Sequence, residues 1–89
     1  MEMEEARKRI SDAKAYLEDY RMYGRMVADA IDALDRLDGL VADPTEEHLA
    51  EALKLAEGLN KALEPYRSYV PTLAEYMDQI LGWLKSQTG

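Results

Sequence analysis

The chain has 89 residues, a formal charge of −7, 47% hydrophobic and 33% charged residues, and no cysteine. That length suits one domain with a single modest core, and the missing cysteine excludes a disulfide framework or a thiolate metal site. The negative balance argues against nucleic acid and anionic membrane surfaces as partners, because both are recognised by clustered Lys and Arg.

No apolar run approaches the roughly 20 residues needed to span a bilayer. The opening Met1-Glu2-Met3-Glu4-Glu5 is acidic and has no apolar h-region, so a cytoplasmic location is the expectation. The basic residues Arg7, Lys8, Arg9, Lys14, Arg21 and Arg25 are interleaved with acids, and the net charge reads as solubility.

Apolar residues then recur every three then four positions, the period of one helix face. The first run is Met3, Ala6, Ile10, Ala13, Leu17, Tyr20, Gly24, Val27, Ile31, Leu34. It predicts a first helix over about 3–38, on the order of 50 Å long, with Gly39 as a left-handed C-cap. Gly24 falls on the stripe and reads as a packing accommodation. The alternative is a break after Tyr23.

The second helix is expected over about 44–64. Asp43 is placed to be its N-cap, Pro44 its first residue and Glu46 its capping-box partner. Only residues 39–43 join the two, which makes them antiparallel neighbours. The segment Glu64-Pro65-Tyr66-Arg67-Ser68-Tyr69-Val70-Pro71 carries two residues that interrupt helices. A third helix follows over about 71–86, with Gly89 as a frayed end. The second stripe runs Leu49, Ala52, Ala56, Leu59, Leu63, Tyr66, Val70, Leu73, Met77, Ile80, Leu84 and keeps phase through both prolines. The fold expectation is all-α. Within the single domain 1–89 it is an antiparallel three-helix bundle with one long first helix, or alternatively a kinked helical hairpin.

Catalytic and ligand chemistry finds little foothold. His48 is the only histidine, and no Gly-rich elbow precedes Ser11, Ser68 or Ser86. Thr45 stands three before His48, where a di-metal bundle needs Glu. Asp29, Asp32, Asp35, Asp38, Asp43, Glu46, Glu47 and Glu51 make an acidic hairpin tip, read as a solvated face; their spacing does not match a calcium loop. The expectation is no enzyme activity, no cofactor and no metal.

The aromatic residues are skewed: six tyrosines, one tryptophan, no phenylalanine. Tyrosine and tryptophan suit sites with one dry and one wet side, and interfaces are enriched in Tyr, Trp, Met and Arg. Tyr16, Tyr20, Met22, Tyr23, Arg25 and Met26 cluster in the first half, and Tyr66, Arg67, Tyr69, Tyr76, Met77 and Trp83 in the second. Met22, Tyr23 and Met26 cannot all share the inner line of Tyr20 and Gly24. The expected function is a protein-interaction module that binds a partner protein, or its own copy. Its face would be Tyr16, Tyr20, Tyr23, Met26, Tyr69, Tyr76 and Trp83. Two alternatives stand beside it. A purely structural bundle would bury all seven; a small-molecule or metal-binding bundle would show an internal cavity or ligands converging near His48.

The segment Asp43-Pro44-Thr45-Glu46-Glu47-His48-Leu49-Ala50-Glu51-Ala52-Leu53-Lys54-Leu55-Ala56-Glu57 resembles computationally designed (de novo) helical-bundle proteins. It has a Pro-led cap, acids in the first turn and Ala/Leu/Glu/Lys filling. The resemblance covers the second helix and part of the first. It implies a binder-type miniprotein whose irregular, aromatic region contacts a target. A natural small acidic helical protein, such as a phage or bacterial regulatory subunit, has the same features.

Overall fold

The computed structural model describes residues 2–88, so Gly89 and its expected fraying lie outside the described residues. Among these residues four α-helices follow one another: α1 (Met3–Glu18), α2 (Arg25–Ala42), α3 (Glu46–Leu63) and α4 (Pro71–Thr88). Two 3₁₀ turns, Arg21–Tyr23 and Glu64–Tyr66, lie in the α1–α2 and α3–α4 links. α1 packs on α2 and α4, and α3 packs on the same two, which closes a ring of helices around one core. The molecule measures 35 × 21 × 20 Å. No described helix is long and apolar enough to cross a membrane.

The single long first helix is therefore two helices. Gly24 sits at φ 120, ψ −171, a backbone region that is essentially glycine-only. The break has a packing reason. A continuous helix of that length would leave the stripe of its N-terminal half in water. Folded back, α1 is covered by α2 and α4, and Ala6, Ile10 and Ala13 are fully buried. Small alanines on this face let the helices approach closely. The count is four, rather than three helices or a kinked hairpin.

Gly39 is also not a C-cap: α2 runs through it to Ala42. An interior glycine costs about 1 kcal/mol against alanine. Burying Val41, which is fully enclosed, returns roughly 1.5–3 kcal/mol, so the helix continues. α3 likewise starts two residues later than Asp43 and Pro44 imply. Thr45 is its N-cap, and its Oγ1 accepts the His48 backbone N–H at 3.1 Å. Pro44 instead occupies a tight turn in which the Thr45 N–H donates to the Asp43 carbonyl at 2.9 Å.

The prolines behave as their chemistry requires. Pro65 lies in the 3₁₀ turn after α3, and Pro71 opens α4, where its missing N–H costs nothing. α4 is the most enclosed helix. Leu73, Ala74, Met77, Ile80, Leu81, Trp83 and Leu84 are all buried. They meet Ile10, Ile31, Leu34, Leu37 and Val41 in one cluster. α3 contributes only Ala52 and Ala56 to the fully buried set, with Leu49, Leu53, Leu59 and Leu63 half-buried around them.

Candidate partner-binding face

The α1–α2 link builds an aromatic row. Tyr16 lies in the last turn of α1, Tyr20 follows the helix terminus, and Tyr23 closes the 3₁₀ turn. The Tyr16 and Tyr20 rings stack at 5.3 Å between centroids, and Tyr20 and Tyr23 lie 5.9 Å apart at 34°. Both are within the range where aromatic pairs attract. The hydroxyl partnership with Tyr20, together with partial burial, holds the Tyr16 phenol above its ordinary titration range. Glu18 and Arg21 form a two-point ion pair at 3.0 and 3.3 Å across the same link. The contact lowers the Glu18 carboxyl and raises the Arg21 guanidinium from their ordinary values.

Exposure rises along this row. Tyr16 and Tyr20 are half-buried, Tyr23 is 75% exposed, Met22 83% and Met26 55%. In the α3–α4 link Tyr69 is 79% exposed and Tyr66 45%. Arg67 ties that link down. It donates to Asn60 of α3 at 3.0 Å and to Asp78 of α4 at 2.6 Å, and the Asp78 contact raises its guanidinium. The tyrosines on either side of Arg67 are thus presented on a fixed loop.

The other two expected contact residues stand elsewhere. Trp83 is 7% exposed and belongs to the core, because it adjoins Ile80 and Leu84 on a wide buried face. It cannot meet a partner from there. Tyr76 is half-buried and packs against the core. The seven residues are accordingly neither all surface nor all core. Met22 and Tyr66 were left out of the expected face although they are exposed. Both stood in the Tyr/Met-rich clusters of the sequence; Met22 also lies off the stripe, whereas Tyr66 lies on it and so read as inward-facing.

Other polar groups make surface and capping contacts. His48 Nδ1 lies 2.6 Å from the Asp43 carbonyl, and Ser86 donates to the Trp83 carbonyl at 2.6 Å. The acidic tip is partly neutralised: Asp38 pairs with Arg7 at 3.0 Å, Asp35 with Lys14, and Glu51 with Arg36. Among the described residues no three His, Asp or Glu side chains converge as metal ligands would. Two open surface depressions lie along α3, one lined by Ala50, Glu51, Lys54 and Glu57 and the other by Glu51, Lys54 and Leu55 with Arg36 of α2. Compared with protein-family models, with curated proteins and with solved structures, the chain matches none of them.

Proposed function

We propose that the chain is a non-enzymatic protein-interaction module that binds a partner protein through its two tyrosine- and methionine-rich links. One observation carries this reading. Among the described residues the exposed large hydrophobics are Met22, Tyr23, Met26, Tyr66 and Tyr69, and each of these lies in a link or in the first turn of α2. Contiguous exposed apolar residues on a folded domain mark interaction sites, and rigid aromatic anchors dominate interface energies.

The neighbouring helices are proposed to run antiparallel. The support is the register of their ion pairs: Arg7 with Asp38 and Lys14 with Asp35 on α1 and α2, then Arg36 with Glu51 on α2 and α3. In that arrangement the first and third links share one end of the bundle and the acidic α2–α3 turn takes the other. Tyr16, Tyr20, Tyr23, Met22 and Met26 then adjoin Tyr66 and Tyr69 in one surface. A designed origin fits the same reading, since a binder-type design gathers its irregular residues where the target is contacted.

The test is a photo-cross-linking residue placed in turn at 23, at 69 and at 50 on the exposed side of α3. The expected result is adducts to one discrete protein from 23 and 69, and competition of those adducts by unlabelled wild-type chain but not by a folded Tyr23→Ala, Tyr69→Ala chain. Equal adducts from 50, or full competition by the doubly substituted chain, would refute the assignment.

A further inference from the structure

The α1–α2 link differs from a helix at very few places. Asp19 is already helical, at φ −68, ψ −16. The Tyr20 N–H reaches the Leu17 carbonyl at 2.9 Å, and the Tyr23 N–H reaches the Tyr20 carbonyl at 2.9 Å. Outside the 3₁₀ turn only Tyr20, at φ −110, ψ 9, and Gly24, at φ 120, ψ −171, stand clear of helical geometry. The apolar stripe meanwhile passes through the link without losing phase: Leu17, Tyr20, Gly24, Val27, Ile31. At the link the α2 N-terminus has Gly24 as its N-cap and no side-chain cap, so N–H groups of its first turn have no intrahelical partner.

We infer that this link is a hinge through which two copies of the chain exchange α1. Rotation at Tyr20 and Gly24 converts α1, the link and α2 into one continuous helix. The unbroken stripe is as compatible with that single helix as with two. α1 then leaves its own α2 and α4 and occupies the same place on those helices of a second copy. The occupant is a copy of this chain, because α1 is the element that fills the surface between α2 and α4 in this structure. Its contacts, including Arg7 with Asp38, re-form between chains. Short hinge loops favour such exchange, and a continuous helix satisfies the orphaned backbone groups at the break. The hinge geometry carries this inference independently of the partner-binding reading of the tyrosines.

Gly24→Ala tests it. The substitution removes the glycine-only conformer of the closed form and improves the helix of the open one. Two hinges act in each dimer, so the dimer dissociation constant should fall by roughly a hundredfold or more, about tenfold per hinge. Light scattering after size exclusion reads the mass. Spin labels at Arg7→Cys and Asp38→Cys, diluted with unlabelled chain, read the distance within one chain. In the exchanged dimer that distance lengthens to about 46 Å, 31 residues of continuous helix; in the closed monomer the two sites touch. Inserting Gly-Ser residues beside Gly24 should return the variant to a monomer. If Gly24→Ala fails to fold, the wild-type chain refolded at millimolar concentration should give a dimer with the long distance. A foldable Gly24→Ala that stays monomeric at every concentration would overturn the inference. So would a dimer that keeps the short intrachain distance, or only monomer after concentrated refolding.

Discussion

The sign of a glycine-to-alanine substitution distinguishes a broken first helix from a continuous one. Gly24 and Gly58 are both exposed, and a Cβ at either would meet nothing within 4 Å. Sterics outside the backbone therefore contribute nothing to the comparison. At Gly58, inside α3, alanine is the better helix former by about 1 kcal/mol. At Gly24, φ is 120 and ψ −171, and a non-glycine residue held there costs about 1–3 kcal/mol. For a domain of this size 1 kcal/mol moves the melting midpoint by roughly 4–8 °C. Gly58→Ala should accordingly raise the midpoint by several degrees, and Gly24→Ala should lower it by a similar or larger amount. Circular dichroism melts at low micromolar concentration, with scattering to verify monomers, make the measurement. A Gly24→Ala monomer that melts higher than wild type would refute the broken helix, because a continuous helix through 24 gains from alanine as α3 does.

Further outcomes follow from the caps, the core and the aromatic row. Thr45→Ala should cost about 1 kcal/mol through the lost cap, while Asp43→Ala, measured by the same melts, should cost much less. The reverse order would restore Asp43 as the cap. Trp83→Ala should destabilise by about 3–5 kcal/mol as a buried large-to-small change. As the only tryptophan, Trp83 should also emit at short wavelength and resist acrylamide quenching; a fully quenched, red-shifted emission would place it on the surface. Tyr16 binds its proton more tightly in the folded state than the ordinary value of 10.0 implies. Its contribution is intact below that pH and is lost as pH rises through the folded titration. Phenolate absorbance should show a late phase that Tyr16→Phe removes.

The amino-acid sequence determined the helical class and most of the core. Ala6, Ile10, Ala13, Leu17, Ile31 and Leu34 are buried in the order the 3–4 spacing assigns them, as are Leu73, Met77, Ile80 and Leu84. Periodicity is a local property of the chain, and a stripe of this width is buried whatever it packs against. The exposed tyrosines were legible in the same way at Tyr23 and Tyr69, which stand off that stripe. Tertiary structure decided what periodicity leaves open. A stripe in constant phase is equally compatible with one helix or with two, and the break at Gly24 follows from the need of α1 for covering neighbours. The same competition carries α2 past Gly39 to bury Val41. It also draws Trp83 inward, because α4 lies against α1 and α3 and buries a face wider than a two-residue stripe. The position of the α3 cap was decided locally but finely, by a Thr45 hydroxyl that reaches the His48 N–H where Asp43, held in the turn before Pro44, does not.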